Sequence, residues 1–264
     1  MHNSSPVAAL PHRDRVLIAT CVALVTALAW GYLVVLDRQM SSSADSQAAM
    51  AKMGMIMAAP WRVADVFFAF AMWAVMMVGM MGASAAPVLL LFAGMHARRG
   101  ERDMPIAVLL FGLGYIVVWM GFSVCAALVQ WGLHELALLS STMAATSPLL
   151  GGVILIAAGA YQFTPVKGAC LRQCQSPLGF LVSHWREGTS GAVAMGLRHG
   201  VHCLGCCWAL MGVLFAVGVM NLAWVAAISA FILLEKTGRV GAQVARVGGV
   251  AMMAVGILAA ARSF

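Results

Sequence analysis

Charge is what this sequence has least of. Asp, Glu, Lys and Arg together make up 9 % of its 264 residues, and the acidic pair contributes only 9 residues, while apolar residues reach 62 %. So sparse a charge cannot solvate the surface of a soluble domain, which excludes the soluble globular class. A Walker-type Gly-rich loop with its Lys-Ser/Thr is missing, so the chain carries no nucleotide site of an ATP-driven pump. Any transport would be passive, coupled or driven by another subunit. A cleavable signal peptide is not expected either, because the first apolar run is too long and lacks a small-residue cleavage site. Even cysteine pairing is lacking: there are seven Cys, mostly in or beside apolar segments, which argues against a secreted disulfide framework. The net charge of +7 does not imply a nucleic-acid partner, because the basic residues are scattered over short connections, where they read as topology signals.

What the chain has in abundance is apolar runs. About 20 such residues cross a bilayer as a helix, and runs of that kind recur throughout. The expected fold is all-α: a polytopic transmembrane helical bundle of about seven spans, six if two short spans merge or the first is lost. Residues 1–15 read as a disordered cytoplasmic N-terminus, and residues 16–264 as a single integral membrane domain. The spans are placed at Val16–Leu36, Val63–His96, Ile106–Gln130, Leu149–Phe163, Ser190–Val219, Leu222–Leu234 and Val247–Ala261, with residues 164–190 as the longest inner connection. With the N-terminus inside, twelve Lys and Arg fall in inner segments and four (Arg38, Lys52, Arg62 and Arg262) in outer ones. This asymmetry sets the N-terminus in the cytoplasm and the C-terminus outside.

Against that background one stretch stands out: Arg198-His199-Gly200-Val201-His202-Cys203-Leu204-Gly205-Cys206-Cys207-Trp208. On a helix, residues three and four apart share a face, so His199, His202, Cys203 and Cys206 form one stripe with Cys207 at its edge. Imidazole and thiolate are donors for soft and borderline metals, Cu(I) and Zn(II) above all. Cys170 and Cys174, four apart in the inner connection, are a candidate second half of the same site. Glu235 is a candidate partner to orient a His ring, or simply a helix-end residue beside Lys236. In this topology all of these lie at or near the cytoplasmic face, where thiols stay reduced. The alternative is that buried Cys act as small hydrophobes and the His are satisfied core residues.

Methionine is the other excess, 20 in all. Met72, Met76 and Met80 share one helix face, with Trp73, Met77 and Met81 on the adjacent one. Such a thioether column is either a relay for Cu(I) or an adaptable packing face. Met50, Met53, Met55 and Met57 crowd the loop expected between the first two spans. Gly196 and Gly200 offer a small-residue packing face, and Pro87 is expected to kink its helix.

Several phrases together resemble a bacterial family of predicted metal-binding integral membrane proteins, a domain of unknown function. They are Met72-Trp73 through Met81 with Ser84 and Pro87, Tyr161-Gln162-Phe163-Thr164-Pro165-Val166-Lys167 with Cys170 and Cys174, His199-Gly200 with Cys203-Leu204-Gly205-Cys206-Cys207-Trp208, Met220-Asn221, and Glu235-Lys236. The resemblance covers roughly residues 65–260. It departs from the pattern at Gly82-Ala83, where a Leu-Pro-Ser type turn is expected before Ser84. It implies a metal-binding protein of the bacterial inner membrane, and it implies no reaction.

The leading expectation is therefore a multi-pass inner-membrane protein that handles or delivers copper, with Cu(I) as cargo and zinc as the second choice, and with no catalytic residues assigned. Its partners would be the bilayer, other membrane subunits, or a metal donor or acceptor protein. Two other classes remain beside it. One is a membrane thiol-disulfide oxidoreductase using Cys203 and Cys206, which have dithiol spacing, with Cys170 and Cys174 as the exchanging pair and with Arg198 and the nearby His to favour the thiolate. The other is a structural or assembly subunit that packs its Met and Gly faces against partner helices.

Overall fold

The structure, a computed structural model, describes residues 10–52, 61–100, 103–140, 143–237 and 240–262. The described residues are helical, apart from loops and one isolated antiparallel bridge between Leu139 and Ala145. The helices are α1 (His12–Lys52), α2 (Val63–Arg98), α3 (Met104–Glu135), α4 (Pro148–Tyr161), α5 (Pro165–Gln175), α6 (Pro177–Ser183), α7 (Gly188–Gly212), α8 (Leu214–Val217), α9 (Leu222–Lys236) and α10 (Gly241–Ala261).

Local sequence sets many of these starts. Proline, which has no amide hydrogen to leave unpaired, sits in the first turn of α3, α4, α5 and α6. Ser147, Thr164 and Asn221 cap α4, α5 and α9 by accepting backbone N–H groups with their side chains.

Among the described residues, five helices are long and apolar enough to cross a membrane: His12–Met40, Val63–Arg98, Met104–Glu135, Gly188–Val217 and Gly241–Ala261. A sixth crossing is available if α4 and α5, bent by 64° at a short break, count as one broken span. The expected seven are thus not all present as long helices. α9 is apolar but has only 15 residues; at ~1.5 Å per residue it reaches ~22 Å, short of a hydrocarbon core of ~30 Å.

Three boundaries also differ from expectation. α1 begins at His12, so part of the segment expected to be disordered is helical, and it runs on to Lys52, well past the expected end at Leu36. The loop methionines Met53, Met55 and Met57 lie outside the described residues, as does the side chain of Met50. Residues 165–175, expected in the inner connection, are the helix α5. α2 passes through Pro87 as one helix to Arg98; the proline ring leaves the Ala83 carbonyl without its helical donor.

The bundle closes on glycine. A Cβ at Gly196 would strike the Phe111 carbonyl, and one at Gly114 would lie 2.6 Å from the Val193 carbonyl, so α3 and α7 meet backbone to backbone. α4 and α10 do the same through Gly152 against Gly256 and Gly159 against Gly249. Such approach is the usual means of joining helices where lipid removes the hydrophobic drive. One polar chain inside is paired: Trp73 Nε1 donates to Gln130 Oε1 at 2.7 Å, and Gln130 Nε2 donates to Met143 Sδ at 2.9 Å. The main core gathers Met72, Met76, Met77, Met80 and Met81 of α2 with Cys203, Cys206 and Cys207 of α7.

Candidate metal centre

α7 carries the stripe. Because Gly196 and Gly200 let α7 lie close on α3, the residues one and two turns on face inward. His199, Cys203, Cys206 and Cys207 are all buried, while His202 is half-buried at the edge. The Sγ atoms of Cys206 and Cys207 donate back along the helix to the Cys203 carbonyl at 3.1 and 2.9 Å. α5 supplies the opposing wall. Cys174 Sγ sits 4.0 Å from Cys206 Sγ, and the absent side chain of Gly205 leaves room for Cys170, whose Sγ would be 2.7 Å from a Cβ there. Tyr161, at the α4–α5 bend, donates to the Gly205 carbonyl and fixes this junction.

Cys203 has the richest surroundings. Tyr115 Oη of α3 lies 3.1 Å from its Sγ. The Lys236 ammonium of α9 donates to the same sulfur at 3.1 Å, and also to Ser84 Oγ at 3.0 Å and Met81 Sδ at 3.9 Å. Sequence reading did not single out Lys236, Tyr115, Ser84 or Met81 as parts of a site. Lys236 read as a topology charge and Ser84 as a small packing residue.

The two histidines are held by rings rather than hydrogen bonds. His199 stacks on Tyr115 with centroids 5.8 Å apart and packs on Phe180 at 5.1 Å; His202 meets Phe180 edge-on at 6.0 Å. His199 Nδ1 and His202 Nε2 are buried with no hydrogen-bond partner. Buried polar atoms are normally paired, so each orphan calls for an explanation, an unplaced ion or water among them.

Glu235 does not orient a His ring. Both its oxygens accept from Lys167 Nζ at 2.8 Å, and each partner is 1 % exposed. The reason is topological: α5 delivers Lys167 to the same buried layer as the end of α9. Gln175 Nε2 adds a bond to the Glu235 carbonyl at 2.8 Å.

Cys203, Cys206, Cys207 and Cys174 are therefore brought together, with His199 close by. Cys170 joins at the Gly205 side, His202 lies on the Phe180 side, and Glu235 is engaged elsewhere. Among the described residues no three His, Cys, Asp or Glu side chains converge as a metal-holding group. Met72, Met76 and Met80 share the core with the thiols, but it is Met81, from the adjacent face, whose sulfur reaches the Lys236–Cys203 contact.

Fold and centre together define a strongly apolar, all-helical protein with buried thiols, thioethers and imidazoles gathered between helices. That is a donor set of soft-metal character. Residues 70–259 match the family model PpoB2, described as a copper chaperone, and the chain belongs to that family. No curated protein and no solved structure matches it.

Proposed function

We propose that this chain is a multi-pass inner-membrane copper chaperone that carries Cu(I) on Cys203 and Cys206, with Cys174 and His199 completing or exchanging the site. The observation behind this is the packing of α5 against α7, which sets Cys174 Sγ 4.0 Å from Cys206 Sγ beside buried Cys203, in a chain of a copper-chaperone family. Thiolate and thioether donors favour Cu(I) over harder ions, and Zn(II) is the second choice. Cys170, Cys207 and His202 flank the pair as exchange partners. The buried Met72, Met76 and Met80 provide weaker donors along α2 in the same core as the thiols. Copper is cargo: it is taken up, held by strong donors and passed to an acceptor protein.

In this reading the five long helices, the broken α4–α5 span and the short α9 give seven crossings with the N-terminus in the cytoplasm. α9 is accommodated by local thinning of the bilayer or by its neighbours. The basic inner segments support that orientation, which sets Cys174 and Lys236 toward the cytoplasmic side.

The test is elemental analysis of detergent-purified protein reconstituted anaerobically with Cu(I). Wild type should hold near-stoichiometric copper, Cys203→Ala should lose most of it, and Cys125→Ala, exposed on α3, should retain it. Equal retention in both variants would sink the site. The Cys174–Cys206 proximity also supports a second reading as a thiol-disulfide oxidoreductase, which a reversible dithiol couple in a redox titration would favour.

A further inference from the structure

Among the described residues, two lysines make buried or half-buried contacts on neighbouring elements, and they differ in kind. Lys167 has a carboxylate, Glu235, at 2.8 Å. Lys236, the residue after that glutamate, has none among the described residues. Its ammonium has three donors to place, and they point to a thiol, a hydroxyl and a thioether: Cys203 Sγ, Ser84 Oγ and Met81 Sδ. Sulfur is a weak hydrogen-bond acceptor. A positive group ringed by such atoms, with a carboxylate available one residue away but committed to Lys167, occupies the surroundings of a soft cation.

Beside it lies a cavity of about 230 Å³ between α2, α5, α7 and α9, bounded by Ser84, Pro87, Cys174, His199 and Lys236. It brings His199 and Cys174 to the same space as the Lys236 head. The Ala83 carbonyl, deprived of its helical donor by Pro87, belongs to a residue of the same wall.

From this we propose that Lys236 is a stand-in cation. Its ammonium occupies the place of the cuprous ion on Cys203, yields that place when copper enters through this cavity, and remains nearby as counter-charge. The proposal rests on the copper-carrying reading of Cys203 and Cys206. The exchange balances simply. Copper–sulfur bonds form to Cys203 and Cys206, the Lys236–Cys203 hydrogen bond breaks, and any proton on either sulfur leaves to water through the cavity. No electron is transferred. One Cu(I) on two thiolates carries a single net negative charge, which is costly inside an apolar bundle without a partner. An ammonium that swings into the cavity while keeping Ser84 supplies that partner.

The chain's only lysines are Lys52, Lys167 and Lys236, so amine acylation read by mass spectrometry resolves each one. The full-length protein in detergent is acylated with and without one equivalent of Ag(I), a redox-inert substitute for Cu(I). Loading should raise modification of Lys236 several-fold and leave Lys167 unchanged. In Cys203→Ala, modification of Lys236 should already be high and indifferent to Ag(I). Stoichiometric Ag(I) binding with no change at Lys236 would overturn the stand-in role alone. Absence of stoichiometric binding in wild type would overturn the copper-carrying reading with it.

Chelator competition for Cu(I) supplies the second arm. Lys236→Leu should bind roughly tenfold more weakly through loss of a half-buried counter-charge, and Lys236→Arg should stay near wild type because it keeps the charge. Equal affinity in all three would overturn the counter-charge role. Should Lys236→Leu fail to fold, the acylation experiment on wild type still decides.

Discussion

A single side chain shows how differently the two lysine contacts of this protein must behave. Lys167 and Glu235 are each 1 % exposed, so removing one leaves the other charged and buried. Lys167→Met should cost about 3–5 kcal/mol, whereas Lys167→Met with Glu235→Leu should recover most of that loss. Thermal unfolding of the two variants in detergent measures both. At this scale the sequence was partly legible. Spacings of three and four exposed His199, Cys203 and Cys206 as one inward face, because a helix repeats on that period. Lys236 was not legible, since its contact with Cys203 joins residues 33 apart in sequence and periodicity within one helix says nothing about which other helix will face it. Glu235 failed as a His partner for the same reason.

Among the elements, the close helix contacts carry the sharpest expectations. Gly196→Ala drives a methyl group into the Phe111 carbonyl where α3 and α7 touch. Overpacking of that kind costs about 1–3 kcal/mol, and here it should also loosen bound copper, because it displaces the helix that holds Cys203. Gly121→Ala, on α3, meets nothing within 4 Å. It should leave both stability and copper unchanged, or raise stability slightly through better helix propensity. A fall in melting temperature for Gly121→Ala as large as that for Gly196→Ala would refute this account of the contact. The Gly196/Gly200 face was legible in the sequence as a small-residue motif. The α4–α5 bend was not. Thr164-Pro165 announces a helix start, but only packing turns that helix by 64° and lays Cys170 and Cys174 along α7. α1 likewise outran its expected end, because the polar residues after Leu36 end an apolar run without ending a helix.

For the whole molecule, composition alone sufficed to indicate an all-helical architecture with several helices long and apolar enough to cross a membrane, since so few charges cannot surround a soluble core. The number of spans was harder to read, because α9 is apolar but short and α4–α5 is broken. Span number fixes the side on which the chain ends. With seven crossings, a reporter fused after the last residue should be active outside the cytoplasm, and a cytoplasmic signal would mean six. The family match begins at residue 70, after α1. α1 nonetheless lies along α2, where Trp30 Nε1 donates to the Gly79 carbonyl at 3.1 Å.

The Lys167–Glu235 pair acts on the geometry of the centre as a rivet. It fastens α5, which bears Cys174, to α9, which bears Lys236, and so ties two walls of the cavity to each other. A buried rivet is also little weakened by salt. The opposite wall, α7, is clamped to α3 through glycine. α5 is held to α7 as well, where Tyr161 donates to the Gly205 carbonyl and Cys170 fills the space that Gly205 leaves. Pinned to α9 on one side and α7 on the other, α5 keeps Cys174 4.0 Å from Cys206, among the thiols proposed to carry copper.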